Sequence, residues 1–197
     1  MPRAGLSRPV VVAEAARLAD ETGWSHLTVA ALAERFGVKL PSLYKHIDSL
    51  EGLRREVGAL ALRELGGELQ AAAVGRSGSD ALRATASAYR AYARAHPGRY
   101  AATLAAPAPV DEERQAVAQS VLQTIFAVLE GYGLGGDDLV HATRVLRACL
   151  HGFVSLEESD GFGMPHDVDA SFDLLVQALH ENLSRWGQWP GIADSSM

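Results

Sequence analysis

The chain has 197 residues, 48% of them apolar, with 18 Lys/Arg against 24 Asp/Glu and a formal charge of −6. That length is enough for a sizeable core, as one domain or one domain with a small appendage. The acidic balance argues against indiscriminate nucleic-acid coating, a lone cysteine excludes a disulfide framework, and no run approaches the roughly 20 apolar residues of a membrane span. Abundant Ala and Leu with few β-branched runs point to an all-α fold. Glu14, Arg17 and Asp20 interrupt any secretory leader, so a cytoplasmic location is expected.

Met1 to Leu6 reads as an arm whose Arg3, with Arg8 just beyond, is placed either to reach phosphate or a minor groove, or simply to be solvated. A first helix starts near Ser7, tolerates Pro9 in its first turn, and runs through Val12, Ala15, Ala16 and Ala19 to Gly23. Trp24 and Leu27 then close the core of an N-terminal head. Thr28 is a plausible N-cap for a second helix in which Val29, Leu32, Ala33 and Phe36 recur at helical spacing. Gly37 stands where that helix must end. Pro41 fits only the first turn of a third helix, with Val38 and Leu43 docking back on the second. Lys39, Ser42, Lys45 and His46 are left on one outward face, with Tyr44 at its edge. Such a face suits a DNA major groove, and equally any solvated helix pair.

The run Leu32-Ala33-Glu34-Arg35-Phe36-Gly37-Val38 followed by Pro41-Ser42-Leu43-Tyr44-Lys45-His46 resembles the helix-turn-helix signature of TetR/AcrR-family transcriptional regulators. The resemblance covers roughly the first 55 residues. It implies that this head binds double-stranded operator DNA. Lys39 and Ser42 are the candidates for base edges. Tyr44, Lys45 and His46, with Thr28 at the second helix's start, are the candidates for phosphate. One departure stands out: Leu50 occupies a position where most relatives carry a phosphate-contacting lysine. Arg54 or Arg55, a turn later, is a candidate replacement. Charge is divided in the same sense. Up to Arg55 there are eight Lys/Arg against six Asp/Glu, and beyond it ten against eighteen.

Asp48 is the expected N-cap of the next helix, with Glu51 at N3. That helix runs to about Ala73, long enough to link head and body. Val74 to Asp80 reads as a linker. A helix from about Asp80 to Ala95 is broken by His96-Pro97-Gly98, a short helix spans Arg99 to Ala105, and Pro107 and Pro109 end it. Glu112 to Tyr132 is the next long helix, closed by Gly131, Gly133, Gly135 and Gly136. Two more follow, from Asp137 as N-cap to Glu158 and from Val168 to Trp186. Their apolar stripes make them either plain core or half of a four-helix dimer interface.

The run His151 to Glu157, with Ser171-Phe172-Asp173 and His96-Pro97-Gly98-Arg99-Tyr100, resembles the C-terminal domain of one TetR subgroup marked by Trp-His-Gly. Leu150 stands here in place of the tryptophan. The resemblance implies a homodimer made by the last two helices, with Leu146, Leu150, Phe153, Phe172, Leu175, Leu179 and Leu183 as candidate interface residues. It also implies a cavity for a small, largely apolar effector. Tyr89, Tyr92, Tyr100, Phe126 and His151 are candidates for its lining, or are themselves core. The expected organisation is a DNA-binding domain over 1–52, a helical effector-binding and dimerisation domain over 53–187, and a tail over 188–197.

The sequence carries none of the familiar catalytic signatures. The seven histidines form no His-Glu-x-x-His, and Cys149-x-His151 offers only two ligands, so neither metal nor cofactor is expected. No phosphate-cradling loop and no Gly-x-Ser-x-Gly elbow occur, and Ser155, His151 and Asp160 crowd one helix too closely to read as a triad. Cys149 lies in an apolar helical pattern that suits a small buried hydrophobe, with a redox sensor as the other reading. The resulting expectation is a ligand-responsive regulator, acting as a repressor on a palindromic operator. The alternative of the same fold is a helical interaction module without DNA binding.

Overall fold

Caps and breakers in the sequence set the bounds of each helix in the computed structural model, which describes residues 6–104 and 111–188. Helix α1 spans Arg8–Thr22, with Pro9 in its first turn and Gly23 after its last residue. A single 3-10 turn follows at Trp24–His26. Helix α2 spans Val29–Phe36, and the Thr28 hydroxyl accepts the Ala31 amide at 3.1 Å, as an N-cap does. Gly37 ends α2 in the left-handed region at φ 64°, a conformation costly for a residue with a Cβ. Helix α3 is only Leu40–Leu43, prolonged by turns through His46.

Helix α4 spans Leu50–Ala73 and α5 spans Gly78–Ala95. The cap of α4 differs from expectation. Ser49, not Asp48, accepts the Gly52 amide, at 2.9 Å. The serine hydroxyl satisfies an orphan donor of the first turn, one residue further on than an Asp48 cap would, and the Asp48 carboxylate meets Arg8 instead. Helix α6 spans Pro97–Thr103, starting two residues before Arg99. Pro97 begins this helix rather than only breaking the previous one, because its missing N–H is an orphan in a first turn anyway. Pro107 and Pro109 lie outside the described residues. Helices α7, α8 and α9 span Glu112–Glu130, Asp137–Glu158 and Val168–Ser184. Gly136 rather than Asp137 occupies the N-cap position of α8, while the Asp167 carboxylate accepts the Asp169 amide at 2.9 Å to cap α9.

These elements divide into two compact units. The first comprises Met1–Gly67 with Tyr92–Val121, and the second Glu68–Ala91 with Leu122–Met197. The first unit thus takes in α4 as far as Gly67, the end of α5, all of α6 and the start of α7, more of the chain than residues 1–52.

The core of the first unit is built from Val11, Ala15, Leu27, Leu32, Leu43, Ile47, Leu53 and Val57, all of them at most 2% exposed. Each leucine or isoleucine so buried contributes about 1.5–3 kcal/mol over an exposed one. Helix α6 seats directly on α1. A Cβ on Gly98 would lie 2.0 Å from the Ala19 carbonyl oxygen, so the two backbones touch with no room for a side chain. The Arg99 amide donates to the Asp20 carboxylate at 2.8 Å, and the Arg99 guanidinium pairs with Asp20 at 3.0 Å and with Glu64 at 3.1 Å.

The core of the second unit gathers Leu82, Leu129, Leu139, Leu146, Leu150, Phe172, Val176, Leu179, Leu183 and Trp186. Its polar node is Arg90, whose guanidinium makes a two-pronged pair with Glu157 at 2.5 and 2.8 Å and meets Asp169 at 2.7 Å. The same group lies over the rings of Phe153 and Phe172, at 5.4 and 4.7 Å from their centroids, a cation–π arrangement tying α5 to α8 and α9. Trp186 is 8% exposed and donates its indole N–H to Asp138 at 3.1 Å. No helix among the described residues is long and apolar enough to cross a membrane.

Candidate nucleic-acid interface

The outward face of α3 exists because its inward face is fixed. Leu43 is fully buried and Ile47 is 2% exposed, so the short helix is pinned to the first unit's core at its C-terminal end and by the turn that follows. Val38 packs against the same core, and its amide donates to the Ala33 carbonyl at 3.0 Å, holding the turn between α2 and α3. Lys39 stands immediately before α3 in extended conformation, its carbonyl accepting the Ser42 amide at 2.9 Å. Lys39, Tyr44 and Lys45 are exposed, and Ser42 and His46 are half-buried. Among the described residues none of these five side chains enters an ion pair or a side-chain hydrogen bond. Thr28 is exposed at the start of α2, and its capping role uses the hydroxyl oxygen as acceptor, which leaves the O–H to donate.

Nearby arginines of the first unit are engaged within the chain. Arg35 on α2 bridges to Glu14 at 2.5 Å and to Glu21, joining α2 to α1, and Glu14 also receives Arg17. Burial pushes the Glu14 carboxyl up, but hydrogen bonds from Arg17 and Arg35 outweigh it and hold the group below the usual carboxylate range. The hydrogen bond from Arg35, against a smaller opposing effect of desolvation, lowers Glu21 likewise. Arg54 donates to the Leu27 carbonyl at 3.2 Å and lies over the Trp24 ring at 5.6 Å from its centroid. It therefore holds the 3-10 turn, its guanidinium engaged within the chain. Leu50 packs against the core. Arg55 is exposed, and its Nη2 lies 3.7 Å from where a Cβ on Gly52 would stand, folded back toward the first turn of α4.

Several expected residues are placed differently. Arg8 is not a free cation. It makes a two-pronged pair with Glu56, both bonds at 2.8 Å, and meets Asp48 at 3.3 Å, tying α1 to α4. Arg3 lies outside the described residues. The expected interface residues Leu146, Leu150, Phe172, Leu179 and Leu183 are between 3% and 5% exposed in the single chain, so they form the second unit's own core and offer no surface to a partner. Phe153 is held between Phe162 and Phe172, with centroids 4.8 and 5.2 Å away, and Leu175 packs on the same core. Apolar spacing identifies the stripe that faces inward and does not separate a core from an interface between copies.

The aromatic residues expected around an effector fall in both units. Tyr92 and Tyr100 belong to the first. Tyr92 is 5% exposed, with its hydroxyl donating to the Ala61 carbonyl at 3.0 Å and meeting Glu64 at 3.2 Å, and Tyr100 is 1% exposed. Burial and the neighbouring Glu64 carboxylate raise the Tyr92 phenol, keeping it a neutral donor. Tyr89, Phe126 and His151 belong to the second, where the first two pack on its core and His151 is half-buried. Tyr132, unremarked in the sequence, shares a hydrogen bond of 3.0 Å with His180, and burial pushes its phenol up to about 12. Cys149 is half-buried with a free thiol. No cluster of metal-ligating side chains occurs among the described residues.

A capped α2, a left-handed glycine and a short pinned α3 with an unengaged polar face define a helix-turn-helix protein. The comparisons agree. Residues 11–57 match the family of bacterial regulatory proteins, tetR family, and residues 82–179 match the tetracyclin repressor-like C-terminal domain. An uncharacterized HTH-type transcriptional regulator of Mycobacterium tuberculosis, Rv0681, is 40% identical over 183 residues, covering 92% of this chain and 84% of its own. Another from Bacillus subtilis, YobS, is 31% identical over 183 residues, covering 92% and 95%. The protein belongs to the TetR family of transcriptional regulators, which are not enzymes.

Solved structures share the fold. BioQ of Mycobacterium smegmatis superposes with a TM-score of 0.66 at 20% identity, covering 91% of this chain and 98% of its own. TetR from Acinetobacter baumannii AYE gives 0.65 at 22% identity, covering 92% and 98%. Related structures hold BioQ with its double-stranded DNA operator and a variant of that TetR in complex with minocycline.

Proposed function

We propose that the protein is a homodimeric repressor that binds a palindromic operator and is released from it by a small, largely apolar effector. The observation that carries this reading is the face of Lys39, Ser42, Tyr44, Lys45 and His46, pinned by Leu43 and Ile47 and engaged with nothing in the chain. Each subunit lays that face in a major groove, with half-sites about 34 Å apart or a multiple of it. Lys39 and Ser42 meet base edges, while Tyr44, Lys45, His46 and the Thr28 hydroxyl meet phosphates. Likeness to BioQ, solved with its operator, and to a TetR variant, solved with minocycline, supports DNA and small-molecule partners here. Tyr89, Phe126 and His151 are the half-buried candidates for effector contact, Tyr92 and Tyr100 having the contacts of core residues.

The dimer uses the outer faces of α8 and α9. Val145, Ala148, Gly152 and Leu156 are exposed along one side of α8, and Leu174 and Ala178 along one side of α9. Leu174 is 67% exposed, a large apolar group that a second copy covers.

The test is selection of DNA from a random pool by the full-length protein, followed by affinity measurement with Lys39→Ala. A palindromic site is expected, with an affinity loss of about 1–3 kcal/mol and relaxed preference at one position per half-site. Unchanged affinity and preference would remove Lys39 from the base contacts. A second reading, a helical module without DNA binding, draws on Leu50 and Arg54, which turn inward, and on Arg8, which is engaged at the surface by Glu56 and Asp48. It is favoured if no sequence is enriched.

A further inference from the structure

Leu40 stands in the middle of the proposed DNA face yet has no place in the core. It is 42% exposed, and Tyr44, one turn later, is 53% exposed. The Tyr44 amide donates to the Leu40 carbonyl at 3.3 Å, so the two side chains follow one another along the same side of α3. Pro41 beside them is exposed as well, and the exposed ammonium groups of Lys39 and Lys45 flank the group in sequence. The neighbouring apolar residues behave otherwise. Leu43 and Ile47 are buried and Val38 packs against the core, which leaves Leu40 as the aliphatic side chain turned out among cations.

A leucine can neither donate nor accept a hydrogen bond. Opposite most base edges of the major groove it would strip water from a donor or acceptor and replace it with nothing, a penalty without compensation. One feature of the groove floor is itself apolar, the C5 methyl group of thymine. We propose that Leu40, with Tyr44 one turn away, reads the C5 methyl of a thymine in each operator half-site. This rests on the DNA-binding reading above and assigns to it a base and a residue. The cations on either side serve phosphate or guanine, whereas Leu40 selects by methyl burial alone. 5-Methylcytosine presents the same methyl, so the test includes it.

The experiment begins with the operator enriched from a random pool by the full-length protein. Each thymine is replaced singly by uracil, which deletes only the methyl and leaves base pairing and every hydrogen-bonding group unchanged. In a parallel scan each cytosine is replaced by 5-methylcytosine. Affinities are measured for the wild type and for Leu40→Ala, a change at an exposed position, with a thermal melt to confirm an unaltered fold. At one position uracil should weaken wild-type binding about fourfold per half-site, and about fifteenfold when both half-sites carry it, the value of one buried methyl-sized group. Leu40→Ala should bind more weakly and be indifferent to that same replacement.

A Leu40-dependent gain on methylating a cytosine, with none of the uracil replacements mattering, would overturn thymine as the source. Equal uracil effects in wild type and variant, or no effect at any position, would overturn the assignment to Leu40 while leaving DNA binding intact. Failure to enrich any sequence would overturn the DNA-binding reading and this inference together.

Discussion

Arg54 and Arg55 are adjacent, identical in chemistry and opposite in placement. Arg54 turns inward to the Leu27 carbonyl and the Trp24 ring, while Arg55 is exposed and folds back toward the first turn of α4. Arg54→Ala is expected to lower stability by about 1–3 kcal/mol, because it leaves a part-buried carbonyl without its charged donor. Arg55→Ala should leave the melt unchanged and reduce the slope of log affinity against log salt by about one unit per half-site. Denaturation and a salt titration on selected DNA distinguish the pair, and the reverse pattern would mean the roles are exchanged. A periodic pattern in the sequence places both residues on α4 but does not say which of two neighbours faces the 3-10 turn. Leu40 escaped notice for a related reason. An apolar residue at a helix start gives no sign of its exposure until Val38 and Leu43 are seen to fill the space beneath.

At the scale of elements, α1 to α3 were legible because each boundary carries its own chemistry: Pro9, Gly23, Thr28, Gly37 and Pro41. The start of α4 was less so, since Asp48 and Ser49 are both good caps and the choice depends on which one has another partner. Asp48 meets Arg8, and Ser49 caps. Ser49→Ala should therefore cost about 1 kcal/mol of stability, and Asp48→Ala appreciably less, measured by chemical denaturation. Equal losses would show that the two share the cap. Helix α6 begins at Pro97, a residue whose local signal is equally that of a breaker; its seat on α1 depends on Gly98, whose partner is nearly eighty residues away and invisible to local pattern. The terminal helices show the converse limit. Their apolar stripes were correctly located, but a stripe facing a core and a stripe facing a second copy look alike in sequence.

For the molecule as a whole, stability should decline on acidification. Glu14 and Glu21 titrate below their ordinary values because Arg17 and Arg35 hold their carboxylates. A carboxyl depressed on folding contributes stability at pH above its unfolded value and loses it as pH falls through the folded one. The loss therefore sets in as pH falls into the ordinary carboxylate range and is complete only below the depressed folded values. Arg35→Ala should flatten this acid limb while leaving the neutral-to-alkaline trend alone, as a series of melts across pH would show. An unchanged acid limb would assign it to other groups. Assembly gives a second whole-molecule expectation. Leu174→Asp should yield a well-folded monomer by sedimentation, whereas Leu146→Ala should retain the oligomeric state at a cost of about 2–5 kcal/mol in stability. If Leu174→Asp remained a dimer, the outer face of α9 would not be the interface.

The contact of Gly98 with Ala19 is a joint without cushioning. Where two helices meet through side chains, rotamers shift and absorb small displacements before either backbone moves. Here carbonyl meets Cα with nothing between them. Such a contact has almost no compliance in compression, so a push along α6 reaches α1 at nearly full amplitude. The Asp20 carboxylate, holding the Arg99 amide and guanidinium, resists separation in the same place. Pushed or pulled, the two helices behave as a single stiff lever, and α1 is a wall of the compartment that supports α3.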